Sequence, residues 1–137
     1  SQEIKILLPL HPRTLNNLKK FKILNKIKQN ENILITAPSS YETFLNFTKY
    51  ANLVLTDSGG IQEETSYLNT PCLTLRKNTE RPVTINRGSN VLVDSLDEVC
   101  SHYDAIKNGV FKKSKKIKFW DGAAAQRIAK VLYNEFA

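Results

Sequence analysis

The chain has 137 residues, 41% of them hydrophobic, and a formal net charge of +7. That length fits one domain with a real core. No stretch is long and apolar enough to span a bilayer and no leader is visible, so a cytoplasmic protein without membrane contact is expected. The two cysteines, Cys72 and Cys100, form neither a CxxC pair nor a cluster with histidine, which argues against a disulfide framework or a metal site.

Ile4 to Leu10 is apolar apart from Lys5 and reads as a buried strand, with Pro9 favouring its end. His11-Pro12-Arg13-Thr14 follows at the carboxyl end of that strand, where open α/β sheets bind ligands. His11 is therefore either a site residue or a plain cap on the strand end. Thr14 or Asn16 is expected to cap a helix with the stripe Leu15, Leu18, Phe21, Ile23 and Ile27. Ile33-Leu34-Ile35 is a second strand. The loop from Thr36 to Ser40 carries Pro38 and a serine cap. The helix after it presents Tyr41, Phe44, Leu45, Phe47 and Tyr50, aromatics that belong more often to a core than to a base-stacking platform.

Leu53-Val54-Leu55 is a third strand, and it leads into Asp57-Ser58-Gly59-Gly60-Ile61-Gln62-Glu63-Glu64. The pattern reads as strand, glycine turn, then a helix from Ile61 to Leu68. Such a turn offers backbone N–H groups and the positive end of a helix dipole to an anion. Two adjacent glycines let the main chain approach a phosphate closely, and Ser58 adds a hydroxyl. Glu64, further along the helix, is placed to accept hydrogen bonds from a ribose. The plainer alternative is a helix start capped by Asp57 or Ser58.

Asn69-Thr70-Pro71 breaks the chain, and Cys72 to Leu75 is a fourth strand with Cys72 as a buried thiol. The polar loop Asn78 to Arg81 follows, with Pro82 at the first position of a short helix that Gly88 stops. Arg81 offers a planar fork to a phosphate, or else pairs with Glu80 or with solvent. Ser89 to Val93 is a fifth strand, and Ser95 caps a helix from Leu96 to Ile106. Lys112-Lys113-Ser114-Lys115-Lys116 has no interleaved aromatics and is expected to be a solvated loop rather than a nucleic-acid surface. Asp121-Gly122 opens a last helix from Ala123 to Phe136.

Strands alternate with helices throughout, which gives an α/β class with a parallel sheet. Polar residues gather at three successive strand ends, His11 to Arg13, Ser58 to Glu64 and Asn78 to Arg81. That convergence points to a nucleotide without choosing a chemistry.

The octet from Asp57 to Glu64, followed by Pro71-Cys72-Leu73 and Thr79-Glu80-Arg81-Pro82, resembles the UDP-N-acetylglucosamine 2-epimerase family. His11-Pro12-Arg13 and Asp121-Gly122 fit the same pattern in order and spacing. The resemblance implies a Rossmann-like parallel sheet flanked by helices, one half of a glycosyltransferase-B type two-domain enzyme. On that reading residues 1–137 are its carboxy-terminal UDP-binding domain, a piece of a longer protein whose amino-terminal domain is absent. The lack of methionine agrees with this.

By the same resemblance, Ser58, Gly59 and Gly60 hold the diphosphate and Glu64 the ribose, while Pro38, Tyr41 and Phe44 border the uracil. His11, Arg13 and Arg81 face the diphosphate and the sugar, with His11 and Arg81 in supporting catalytic roles. The implied reaction interconverts UDP-N-acetylglucosamine and UDP-N-acetylmannosamine by elimination and re-addition of UDP. Its principal acid/base carboxylates are implied to lie in the amino-terminal domain, so this chain alone is expected to be inactive. No cofactor is implied. The expected partners are the UDP-sugar, the missing domain and a second copy of the chain, with no nucleic acid. A hydrolysing epimerase that releases N-acetylmannosamine and a non-catalytic nucleotide-sugar binding module are the alternatives.

Overall fold

The computed structural model describes residues 4–136. The chain divides into two compact units, one ending at Phe44 and one beginning at Leu45. All strand pairs among the described residues are parallel, and helices join the strands, as expected of the α/β class.

The first unit pairs β1 (Ile6–Pro9) with β2 (Ile33–Thr36), Ile6 opposite Ile33 and Pro9 opposite Thr36. Between them lie α1 (Pro12–Lys20) and α2 (Leu24–Lys28). The single helix expected over this stretch is thus two helices. At the end of α1 the Phe21 N–H donates to the Asn17 carbonyl and the Lys22 N–H to the Lys19 carbonyl, and Lys22 turns left-handed at φ 57°. A lysine in that conformation carries no turn signal in sequence. The cap of α1 is also neither Thr14 nor Asn16. Pro12 takes the first helical turn, where its missing N–H costs nothing, and holds His11 extended as the N-cap. Among the described residues of this unit, Leu10 and Leu24 are the buried apolar ones. The helix α3 (Tyr41–Tyr50) runs on from it into the second unit.

The second unit is a three-stranded sheet, β3 (Val54–Thr56), β4 (Cys72–Leu75) and β5 (Asn90–Val93), with β4 in the middle. Cys72 and Leu73 on β4 and Val93 on β5 are buried, and burial raises the Cys72 thiol above its ordinary pKa. The helix α4 (Gly59–Leu68) joins β3 to β4, and α5 (Pro82–Asn86) joins β4 to β5. Asn69 ends α4 in the left-handed region at φ 58°. After β5, Ser95 Oγ accepts from the Glu98 amide and starts α6 (Leu96–Lys107), as expected.

The lysine run is not a freely solvated loop. Lys112 Nζ donates to the Ile85 carbonyl at 2.6 Å, which half-buries its charge and lowers its pKa by desolvation. The Ser114 amide donates to Asn69 Oδ1 and the Lys115 amide to the Arg87 carbonyl. The Arg87 guanidinium donates twice to the Lys116 carbonyl, and Ile117 behind it is buried. The run is a strap whose backbone is spent on neighbouring helices, while Lys113, Lys115 and Lys116 keep their side chains exposed, as expected.

Asp121 accepts from the Ala123 amide and holds Arg127 through two bonds at 3.0 Å ahead of α7 (Ala124–Phe136). Ile128, Val131, Leu132, Tyr133 and Phe136 on α7 are all more than half exposed. Among the described residues, no helix is long and apolar enough to cross a membrane.

Gly88 is fixed by space rather than by turn geometry. A Cβ there would fall on the Ser66 hydroxyl and the Thr84 carbonyl oxygen, and Gly88 is not among the glycines with positive φ. Gly88→Ala should therefore destabilise the chain by about 1–3 kcal/mol, the usual cost of overpacking. Urea unfolding checks this, and a variant as stable as the parent contradicts the packing described.

Candidate functional site

The best-defined candidate site in the second unit is the start of α4. The chain leaves β3 at Thr56, whose Oγ1 accepts the Ser58 amide at 3.0 Å. Ser58 is the extended N-cap, yet its hydroxyl makes no capping bond. The glycines are not a separate turn, because Gly59 and Gly60 are already helical and α4 starts two residues earlier than expected. The amides of this first turn have no carbonyl of their own helix to bond. A Cβ built at either glycine meets nothing within 4 Å, so the fold itself does not require glycine there. Small residues, free donors and open space together suit an anion close to the main chain.

Glu64 stands further along the same helix, half-buried. Its Oε2 is enclosed and has no hydrogen-bond partner among the described residues. Burial, with a smaller contribution from the Glu63 charge, raises its pKa above the ordinary value. An enclosed acceptor of this kind is satisfied by a ligand hydroxyl. Arg81 pairs with neither Glu80 nor solvent alone. Its Nε lies 3.1 Å from Glu63 Oε1, off the angle for a hydrogen bond, and so makes a charge contact without a directed bond. This ion pair ties the loop after β4 to α4.

Sequence reasoning passed over the residues that hold these parts in place. Gln62, inside the octet, has no exposed surface. Its Nε2 donates to the Ser58 carbonyl at 3.4 Å, and its Oε1 accepts from Thr79 Oγ1 at 2.6 Å and Asn90 Nδ2 at 3.1 Å. The only sequence signal was a polar residue on the inner face of an amphipathic helix, a position that normally takes an apolar side chain.

In the first unit, His11 and Pro38 each stand two residues beyond the Pro9–Thr36 pair, at the carboxyl end of both strands. His11 Nδ1 accepts the Arg13 amide at 3.2 Å, which assigns Nδ1 as the unprotonated nitrogen and leaves Nε2 outward. Arg13 and Tyr41 are exposed and Phe44 is half-buried. Thr36 Oγ1, at the same strand ends, is buried without a partner and was not singled out in the sequence. The candidate residues thus fall into two sets, each at the carboxyl ends of its own unit's strands.

The sequence matches the UDP-N-acetylglucosamine 2-epimerase family profile over residues 1–133. The chain belongs to this family. It is 42% identical over 128 residues to the UDP-N-acetylglucosamine 2-epimerase of Methanocaldococcus jannaschii, covering 93% of this chain and 34% of that protein. A Methanococcus maripaludis UDP-N-acetylglucosamine 2-epimerase is 41% identical over 138 residues, covering 97% of this chain and 36% of its own length. The solved M. jannaschii enzyme in complex with UDP-GlcNAc and UDP superposes with a TM-score of 0.82 at 41% identity, over 95% of this chain and 36% of that one. The chain spans about a third of the length of the relatives it matches.

Two outcomes follow from this geometry. Gly59→Val fills open space, so folding stability should stay within about 0.5 kcal/mol, as for ordinary surface changes, while binding of inorganic diphosphate, an anion probe of the α4 start, is lost in calorimetry. A variant that takes up diphosphate as the parent does argues that the main chain is not approached at Gly59. For Glu64, a folded-state pKa above the unfolded value means the native state binds the proton more tightly. Stability is then greatest below the ordinary carboxylate value and falls as pH rises through the raised one. Glu64→Gln should remove that fall, and parallel pH profiles of thermal unfolding for the two proteins would refute it.

Proposed function

We propose that this chain is the UDP-binding part of a UDP-N-acetylglucosamine 2-epimerase, an isomerase that interconverts UDP-N-acetylglucosamine and UDP-N-acetylmannosamine. The observation that carries the proposal is the uncapped start of α4, with two glycines facing open space and the unpartnered Glu64 oxygen further along. Ser58 Oγ and the amides of Gly59 and Gly60 take the diphosphate, and Glu64 takes the ribose hydroxyls. Arg81, held near by Glu63, faces the diphosphate. His11 and Arg13 serve the diphosphate and sugar, and Pro38, Tyr41 and Phe44 the uracil.

In the proposed chemistry the C1–O bond to UDP breaks as the C2 proton leaves, and UDP then re-adds after a proton returns to the opposite face. Charge grows on the departing diphosphate, and fixed N–H donors at a helix start stabilise such charge without reorganising. The proton transfers at C2 need general bases. Those are assigned to a further domain of a longer protein, so this chain alone shows no turnover. The exposed apolar stripe of α7 is a surface that such a domain, or a second copy of the chain, would cover.

The test is an NMR titration of this chain with UDP. The amides of Ser58 to Glu64 and of residues 39–44 should shift, and Ser58→Ala should weaken binding by about 1.5–3 kcal/mol, the usual value for a hydrogen bond to a charged group. Shifts confined to the strap from Lys112 to Lys116 would mean bulk charge attraction and would overturn the assignment. For the longer protein, product analysis decides the reaction, since free N-acetylmannosamine marks hydrolysis instead of epimerisation.

A further inference from the structure

We infer that Gln62 is a positioning residue, the centre of a buried hydrogen-bond relay that sets the α4 start and the Arg81 loop relative to one another. The inference rests on the reading of the α4 start as a UDP site. Four of the side chains involved, Gln62, Thr74, Thr84 and Asn90, have no exposed surface. They come from α4, β4, α5 and β5, and Thr79 joins them from the loop after β4.

The bonds of the relay run in one sense. Gln62 Nε2 donates to the Ser58 carbonyl, while Thr79 Oγ1 and Asn90 Nδ2 donate to Gln62 Oε1. Asn90 Nδ2 also donates to Thr84 Oγ1, and Asn90 Oδ1 accepts from Thr74 Oγ1 at 2.6 Å. Thr84 Oγ1 in turn donates to the Arg81 carbonyl at 2.8 Å, and Thr79 Oγ1 accepts the Arg81 amide at 3.0 Å. Both polar groups of the Arg81 main chain are thereby held by hydroxyls that answer to Gln62 or Asn90.

Turning both carboxamides end for end keeps their contacts with the threonines, because a hydroxyl donates or accepts equally. It also sets the Gln62 oxygen against the Ser58 carbonyl and diverts the Thr84 proton away from the Arg81 carbonyl. Two backbone carbonyls, one in each loop, therefore fix the sense of the whole relay. Apolar side chains of the same volume would fill the space without desolvating amides, but they would not define the position of either loop. The relay runs out to the residue that starts α4 and to the residue whose guanidinium lies beside Glu63, while its branch through Thr74 Oγ1 reaches only the buried Cys72 Sγ.

The test uses the UDP titration of this chain. In the parent, the side-chain NH2 signals of Gln62 and Asn90 should move as UDP is added, although neither residue touches solvent. Thr79→Val removes the hydroxyl from a partly exposed loop. It should weaken UDP by about tenfold, consistent with loss of hydrogen bonds in a coupled network, and should shift the Ser58 to Gly60 amides of the free protein. Thr79→Ser should restore both within about twofold. If the parent binds UDP at Ser58 to Gly60 with the Gln62 and Asn90 signals unmoved, or if Thr79→Val binds as the parent does, the relay is only structural. A parent whose Ser58 to Glu64 amides do not respond to UDP refutes the site reading instead.

Discussion

A helix begins with amide protons that none of its own carbonyls can reach, and the way each helix here meets that constraint separates structure from function. His11 accepts at the start of α1, Ser40 at the start of α3 and Ser95 at the start of α6, while α2 and α5 begin without a side-chain cap. At α4 the residue best suited to cap, Ser58, keeps its hydroxyl free, and the next two residues have no side chain at all. Leaving a cap unmade costs about 1 kcal/mol of helix stability. What sets α4 apart from the uncapped α2 and α5 is that a hydroxyl stands at its N-cap unused, with two glycines that face open space behind it.

What holds an uncapped helix in place is the burial of its other face. Gln62, Thr65 and Ser66 on α4 are all buried, an unusual load of polar groups for an inner face. Thr65 and Ser66 return their hydroxyls to the helix itself, at Ile61 and Gln62. Ser89 bonds the carbonyls of Thr65 and Thr70 from the residue just before β5, closing the far end of α4. The apolar part of this core is correspondingly small, with Cys72, Leu73 and Val93 as its fully buried members. Such a core gains less from water release than an aliphatic one, and gains direction, because hydrogen bonds fix angles that van der Waals contact does not.

The legible and illegible parts of the chain divide along the same physical line. The five strands, the breaks at Asn69 and Pro71, the cap at Ser95 and the helix start at Pro82 were readable because each rests on a local preference. The octet from Asp57 to Glu64 was readable as a helix start after a strand because glycine, serine and a following helix are local too. The break at Lys22 was hidden, since nothing about lysine announces a positive φ. The role of Gln62 was equally hidden, because its partners Thr79 and Asn90 lie 17 and 28 residues away. The lysine run was legible only in part for a related reason. Its charges at Lys113, Lys115 and Lys116 reach solvent as expected, while its backbone and the Lys112 ammonium bind elements far back in the chain.

The placement of Glu64 follows from the same helix. At 1.5 Å per residue it stands about 7.5 Å along the axis from Gly59, beyond the first turn where the dipole favours an anion. Its carboxylate therefore draws little help from the amides that suit a phosphate, and its raised pKa shows that burial is left uncompensated. A second negative group, the diphosphate, would raise it further. Neutral hydrogen-bond donors relieve that position without competing for the first-turn amides. On the proposed function a vicinal diol is such a donor pair, and α4 would sort a nucleotide by its parts, charge at Gly59 and Gly60 and hydroxyls at Glu64. Inorganic phosphate would meet the first need and not the second, so on that reading the Glu64 carboxylate, and not the first turn, is what would set a nucleoside diphosphate apart from the free anion.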